Sequence, residues 1–174
     1  MNYPKFLNGG VLCFMVDEQS FKSVWRNFVT GVAIVTTIES NGLIHGMTAN
    51  SIASISLNPP LVMASVGYDR ESNKLIKRTG KFAISILSDK QESVAIYYSS
   101  SRDPNLNPSP VDFTLTESGS GIVPDCLSFM ECHTEKIYEV GDHTIFIASI
   151  EGLGMNQGSP LTYYNGKYHQ TGAM

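Results

Sequence analysis

The segment at residues 46–60, GMTANSIASISLNPP, mixes short hydroxyl and amide side chains with small apolar ones and holds no charged residue. It therefore offers neutral hydrogen-bond donors and acceptors, and no large side chain crowds its backbone N–H groups. This chemistry suits a flat, polar, partly anionic ligand, whereas an ordinary surface loop would carry Lys, Glu or Asp. The alternative is a strand and turn that simply use Ser and Thr. The closing pair Pro59-Pro60 continues neither a helix nor a ladder.

Ser72, Asn73 and Lys74 open a predicted helix. The free N–H groups of a helix start, with a hydroxyl and an ammonium beside them, form a site for a phosphate group. Lys77 and Arg78 follow one turn later and are able to assist. The alternative is a capping Ser and a solvated basic face. A neutral hydroxyl-rich strand together with a phosphate-competent helix start matches what a flavin mononucleotide requires.

His143 stands in Val140-Gly141-Asp142-His143, a glycine-bent turn between two apolar strands. A polar side chain at such a turn can point over the mouth of a cavity, or it can bond to nearby backbone as an ordinary turn residue. We predict exposed polar side chains for His45 and His169. The sequence has no HExxH or other metal spacing, no GxGxxG, no P-loop and no GxSxG elbow, so no metal site is predicted.

The elements that must position these residues are mostly short strands. A helix is predicted over residues 17–28, followed by strands at 32–38, 43–47, 51–56 and 61–67. Helices at 71–79 and 90–98 flank a strand at 82–87, and 99–110 is a Pro- and Ser-rich loop. Strands at 127–140, 144–153 and 161–164 close the chain, with Asn-Gly turns at 41–42 and 165–166. Because the connections are mostly too short for crossovers, the pattern predicts a mainly β fold, an antiparallel barrel with a few short helices.

Composition sets limits on the partners. A chain of 174 residues with 42% hydrophobic content fits one globular domain, predicted for residues 17–174 after an N-terminal extension at 1–16. Net charge is −4 and no basic run occurs, which disfavours binding to nucleic acid or to a membrane surface. No apolar run is long enough to span a bilayer. Three cysteines without a CxxC pair predict reduced thiols and a cytoplasmic protein.

From about residue 18 to 170, the chain resembles the flavin reductase-like family, whose members share an FMN-binding split barrel. The resemblance rests on an ordered set of motifs: FVTGVAIVTT at 28–37, GMTANS at 46–51, SISLNPPLV at 54–62, GKFAISIL at 80–87, Glu131-Cys132, GDHTIF at 141–146 and PLTYYNGKY at 160–168. Each motif alone is weak, whereas the ordered set is specific. The resemblance implies a Greek-key-like split barrel that works as a homodimer, with flavin near the subunit contact.

Site residues follow from the resemblance by position. The isoalloxazine ring and ribityl chain would be lined by Thr48, Ala49, Asn50 and Ser51, with further contacts from Ser65 and Val66. The phosphate would be held by Ser72, Asn73 and Lys74, while Phe82 and Ala83 would pack near the ring. His143 matches the family histidine beside the nicotinamide, and Tyr168 falls where a closing aromatic residue is common.

The resemblance implies an NAD(P)H-dependent flavin reductase that passes a hydride from nicotinamide to FMN or FAD. Reduced flavin would then serve a partner monooxygenase or another acceptor. One alternative is an FMN-binding electron-transfer protein, flavoredoxin-like or ferric reductase-like, without a nicotinamide site of its own. Another is a flavin-free barrel used for protein contacts. The sequence does not separate NADH from NADPH as the donor.

Overall fold

The computed structural model describes residues 16–100 and 108–171. Its helices are α1 (Glu18–Trp25), α2 (Glu71–Thr79) and α3 (Glu92–Tyr98). The Asp17 carboxylate caps α1 by accepting from Ser20 N–H at 2.7 Å. Gly80 ends α2 at φ 68°, the left-handed conformation that glycine adopts without a steric penalty. The predicted extension at 1–16 and loop at 99–110 lie largely outside the described residues.

A short 3-10 helix (Asp89–Gln91) precedes α3, and the described residues contain twelve strands: β1 (Thr30–Gly31), β2 (Ala33–Ile38), β3 (Ile44–Ala49), β4 (Ile52–Leu57), β5 (Pro60–Gly67), β6 (Lys81–Ile86), β7 (Thr114–Leu115), β8 (Gly121–Ile122), β9 (Ser128–Val140), β10 (His143–Met155), β11 (Leu161–Tyr164) and β12 (Lys167–Gln170). Seven of them form one sheet in the order β3-β2-β6-β9-β10-β5-β4, and its ladders are antiparallel. Although β3 and β4 are consecutive in the chain, they occupy the two edges, so the barrel is split between them. The predicted mainly β, antiparallel split-barrel fold is confirmed.

Two apolar clusters hold the barrel together. The inner cluster joins residues of β2, β5, β6 and β10, with Phe82 and Phe146 as its largest side chains. The outer cluster packs α3, β11 and the segment near Val123 against the other face of β2. Alternating residues of β2 therefore pack in different clusters: Ala33 and Val35 in the inner cluster, and Ile34 in the outer cluster.

The long β9–β10 hairpin brings distant parts of the chain together. Its turn is Gly141-Asp142, where Gly141 has φ 59°, and it delivers His143 opposite Gly67 at the end of β5. Tyr68 N–H donates to the Asp142 carbonyl at 2.9 Å, which fixes the turn against the chain that leads into α2. Three sequence segments that could do chemistry thus meet at one end of the barrel.

The surface of helix α1 remains open. Helix α1 buries none of its residues, although Phe21, Val24 and Trp25 form an apolar stripe. Within the described residues, none of the helices has the length and apolar character needed to cross a bilayer.

Candidate functional site

A groove of about 420 Å³ lies where the β3–β4 turn meets the β9–β10 hairpin. We call it the central groove, and it is lined by Met47, Thr48, Ala49, Asn50, Ser51, Ser65, Gly67, Tyr68, Asp69, Arg70, Asp142 and His143. Ser65 N–H donates to the Ser51 carbonyl at 2.9 Å, so the turn after β3 is fastened to β5. The structure thereby brings together six predicted site residues from three segments: Thr48, Ala49, Asn50, Ser51, Ser65 and His143.

The wall formed by the end of β3 is uncharged and rigidly held. The Thr48 hydroxyl donates to the Ala95 carbonyl of α3 at 2.7 Å, and Asn50 Nδ2 donates to Thr30 Oγ1 at 3.2 Å. At Gly46, an added Cβ would lie 2.9 Å from the Tyr98 ring, so a larger residue there would displace the ring from β3. Because these side chains anchor the strand, its backbone and the Asn50 amide oxygen remain available to a ligand in the groove.

His143 and Asp142 form the opposite wall. His143 Nδ1–H donates to Asp142 Oδ1 at 2.7 Å, and this hydrogen bond, together with the electrostatic interaction between the two side chains, lowers the pKa of the Asp142 carboxyl. With Nδ1–H committed to the carboxylate, a neutral imidazole presents Nε2 as an acceptor. Gly67 lies beside this ring, since an added Cβ there would be in ordinary van der Waals contact with Arg70 Cγ at 3.6 Å and with His143 Nε2 at 3.9 Å.

A second cavity of about 420 Å³ continues from the central groove along the start of α2. We call it the α2 cavity, and its walls are His45, Gly46, Met47, Asp69, Arg70, Glu71, Ser72, Tyr98 and Ser100. Ser72 is buried, and its hydroxyl has no hydrogen-bond partner among the described residues. A buried hydroxyl without a partner is unfavourable unless a ligand supplies one. The first-turn amides of α2 add N–H donors and a positive dipole end.

Arg70 is a charged site residue that the sequence reasoning missed. It lines both the central groove and the α2 cavity, and it occupies the N-cap position of α2 without a capping hydrogen bond from its side chain. A cation at a helix N-terminus opposes the helix dipole, and Arg is a poor N-cap. The sequence already shows this unfavourable Arg directly before Glu71. An anion bound beside the start of α2 would offset the repulsion between the Arg70 charge and the helix dipole.

The basic residues predicted near the phosphate are otherwise engaged. Lys74 lies outside both cavities and pairs with Glu71 at 3.0 Å. Lys77 Nζ pairs with Glu139 at 2.8 Å, and the Arg78 guanidinium donates to the Ile38 carbonyl at 3.1 Å. No group of three or more His, Cys, Asp or Glu residues able to hold a metal ion occurs in the described part of the chain.

The remaining predicted site residues line neither cavity; four are buried and the last is half-buried: Val66, Asn73, Phe82, Ala83 and Tyr168. Asn73 Nδ2 donates to the carbonyls of Val66 at 3.0 Å and Gly67 at 3.3 Å, which fixes the bend between β5 and α2. Tyr168 packs on Tyr163 with ring centroids 5.3 Å apart, and desolvation raises the pKa of its hydroxyl. In the structure these five residues and Lys74 contact other parts of the protein. Their predicted contacts with a ligand therefore stay predictions.

Known proteins resemble this chain over most of its length. A family model described as flavin reductase like domain matches residues 25–172. An NADH-dependent flavin reductase of Pseudomonas fluorescens is 35% identical over 157 residues, covering 88% of this chain and 90% of its own length. The reductase subunit of a flavin-dependent monooxygenase from Rhodococcus jostii is 32% identical over 162 residues, covering 92% and 82%.

A solved structure shows the same likeness in three dimensions. The NADH:FAD oxidoreductase of Streptomyces globisporus, in complex with NAD and FAD fragments, superposes with a TM-score of 0.81 at 30% identity, covering 91% of this chain and 96% of that one. The ordered motifs, the split barrel and the matched span agree with one another. The chain belongs to the flavin reductase like domain family.

Proposed function

We propose that this protein is an NADH-dependent flavin reductase whose flavin binds in the central groove with its phosphate in the α2 cavity. One observation carries the proposal: the uncharged end of β3 adjoins the start of α2, where the buried Ser72 hydroxyl has no hydrogen-bond partner among the described residues. A flavin nucleotide needs neutral polar contacts for its ring and ribityl chain, and concentrated donors for its phosphate. Either FMN or FAD meets this description.

The chain's own residues would bind and orient, since a bound flavin supplies the redox chemistry by accepting a hydride from reduced nicotinamide. Thr48, Ala49, Asn50 and Ser51 would hold the ring, and Ser65 would face it from β5. Arg70 and Ser72 would hold the phosphate. The fixed donors of the β3–β4 turn would stabilise negative charge on the ring because they are already in place before reaction.

His143 would position the nicotinamide. The Asp142 carboxylate holds the imidazole through Nδ1, so Nε2 faces the open groove as an acceptor for the carboxamide N–H of the donor. Holding the donor and flavin face to face contributes to rate mainly through proximity and orientation. No acid or base step is required of His143.

A homodimer is part of the proposal, since the split leaves an apolar edge uncovered. Leu57 on β4 is 89% exposed, and a cavity of about 320 Å³ between β4, β5, β9 and β10 is bordered by Met130 and Ile150. Leu153 and Met155 extend this exposed apolar surface along β10. An uncovered apolar edge strand is a site for pairing with another chain. A second copy is the proposed occupant.

A partner monooxygenase is the proposed consumer of the reduced flavin, because relatives of similar length are reductase subunits of such enzymes. We also propose a cytoplasmic location, where NADH is available. The two described cysteines, Cys126 and Cys132, are buried free thiols, which is consistent with a reducing compartment.

Steady-state oxidation of NADH and NADPH by the purified protein, with FMN or FAD, tests the proposal. We expect turnover with NADH, and for His143→Ala a KM for NADH raised about fivefold, the loss of one hydrogen bond of about 1 kcal/mol. His169→Ala is the matched control, because His169 lies on β12 outside both cavities. Protein that binds flavin but never oxidises a reduced nicotinamide would instead be an electron carrier.

A further inference from the structure

The β9–β10 hairpin carries His143 at its tip, and near the tip the outer side of β9 lies beyond the sheet. The β6–β9 ladder ends at the pair Lys81–His133. Residues 135–140 are all exposed, and none of the described strands pairs with their outer side. The β10 side of the tip is held by β5, in a ladder that ends at the pair His143–Gly67. On the β9 side, the tip therefore depends on side-chain contacts.

Three side chains make such a contact: Tyr68, Lys77 and Glu139, which we call the tip clamp. Lys77 Nζ on α2 lies 2.8 Å from Glu139 Oε1 on β9 and 4.7 Å from the centroid of the Tyr68 ring. An ammonium over an aromatic face is attracted by the negative charge density of the ring. A hydrogen bond to the Glu139 carboxylate raises the pKa of the Tyr68 hydroxyl. The tip clamp thus joins the chain after β5, helix α2 and the tip of β9.

The tip clamp connects directly to His143. Tyr68 N–H donates to the Asp142 carbonyl at 2.9 Å, and Asp142 Oδ1 accepts from His143 Nδ1–H at 2.7 Å. The Lys77 and Glu139 side chains are 30% and 59% exposed, and an ion pair with this exposure contributes little to global stability. Its main effect is therefore local, on the position of the hairpin tip.

We propose that Tyr68, Lys77 and Glu139 are positioning residues that hold the hairpin tip and thereby fix His143 in the central groove, an inference that rests on the proposed function. Lys77 and Glu139 line neither the central groove nor the α2 cavity. Their effect on the reaction is therefore transmitted through the tip. A small displacement of a group that orients a reactant is enough to slow a reaction.

Hydrogen exchange of the Tyr68 amide tests the tip clamp in the ligand-free protein. In Lys77→Met, the Tyr68–Asp142 hydrogen bond should open more often, and exchange measured by NMR should be about threefold faster, as expected for losing an exposed ion pair. Lys81→Met is the matched control, because it removes an exposed ion pair with Glu151 (3.3 Å) and Lys81 lies outside both cavities. Exchange of the Tyr68 amide should stay unchanged in this control.

A kinetic experiment tests whether the tip clamp acts through His143. Lys77→Met and Glu139→Gln should each raise the KM for NADH about threefold, which is less than the effect of His143→Ala. Lys77→Arg keeps the cation and should retain the KM of the parent protein, and the Kd for FMN should not change in any of these variants. In a His143→Ala background, Lys77→Met should have no further effect, because the group that the tip clamp positions is already absent.

Four results would overturn the inference: unchanged exchange of the Tyr68 amide in Lys77→Met, an equal increase in Lys81→Met, a raised Kd for FMN, or a full threefold effect of Lys77→Met in the His143→Ala background. Any of these results in a parent protein that oxidises NADH would refute this inference alone. A parent protein that never oxidises NADH would refute the proposed function, and with it the role of the tip clamp in the reaction.

Discussion

Replacing Ser72 by alanine should change stability and ligand binding in opposite directions. The Ser72 hydroxyl is buried without a partner in the described structure, and burying such a group costs about 1–3 kcal/mol. Ser72→Ala removes that cost from the ligand-free protein and also favours the helix. We expect the free energy of unfolding to rise by about 1 kcal/mol, which raises the melting temperature of a chain of this length by about 2–4 °C.

The same substitution should weaken the binding of FMN. A hydrogen bond to a charged group contributes about 1.5–3 kcal/mol, so its loss should raise the Kd for FMN about 10- to 150-fold. Riboflavin has no phosphate, and its affinity should not change. Differential scanning fluorimetry of the ligand-free protein and fluorescence titration with each flavin measure the two effects.

Thr144→Val is the matched control for this experiment. The Thr144 hydroxyl is also buried without a partner among the described residues, but Thr144 lines neither the central groove nor the α2 cavity. The control should stabilise the ligand-free protein and leave FMN affinity unchanged. Unaltered FMN affinity in Ser72→Ala, or an equal loss for FMN and riboflavin, would refute the assignment of the phosphate to the α2 cavity.

Three further predictions concern the barrel itself. Glu131 accepts hydrogen bonds from the hydroxyls of Thr116 and Ser118. Burial raises the pKa of the Glu131 carboxyl, but these and other hydroxyl donors outweigh burial and lower that pKa overall. The ionised carboxylate therefore stabilises the fold above the unfolded-state pKa, and this stabilisation is lost as pH falls through the folded-state pKa. Glu131→Gln should therefore cost about 1 kcal/mol in urea unfolding at pH 7, with a smaller difference near pH 4, and a pH-independent difference would contradict this. Leu57→Asp places a charge on the exposed apolar edge and should convert the proposed homodimer to a monomer, as measured by light scattering. A parent protein that is already monomeric would refute the proposed homodimer. Burial raises the pKa of the Cys132 thiol to about 12 and also raises the pKa of the Cys126 thiol, so in a Cys13→Ser background a thiol reagent at pH 8 should react only after unfolding. Rapid labelling of the native protein would contradict the burial of these two thiols.

The sequence predicted the elements whose signals are local. The α2 helix was predicted at 71–79 and is found at Glu71–Thr79, because Gly80 is a strong C-cap. Both Asn-Gly pairs form turns with positive φ at the glycine. The two-residue strands β1, β7 and β8 were not predicted, because two residues carry no detectable period. Helix α1 ends at Trp25 and not at 28, since no core holds its last turn.

The site was predictable where its residues are contiguous in the sequence. Residues 48–51 reach the groove as one strand end, and His143 arrives on a glycine turn. Asn73 is predicted at the phosphate from its place at the helix start and from the family resemblance. The structure shows its buried amide donating to two backbone carbonyls, a role that depends on tertiary packing and is not visible in the sequence. The position of Phe82 was equally hard to predict, because the sequence of an apolar strand does not show which face of the barrel each side chain occupies.

Anaerobic stopped-flow mixing of the FMN-loaded protein with NADH tests the central claim most directly. The claim is that the central groove holds a flavin with its His143 side open to a hydride donor. We expect the absorbance of oxidised flavin to disappear at a rate that saturates with NADH, and His143→Ala to need about fivefold more NADH for half the limiting rate. Bound flavin that stays oxidised at saturating NADH, or that is reduced no faster than free flavin, would contradict the account.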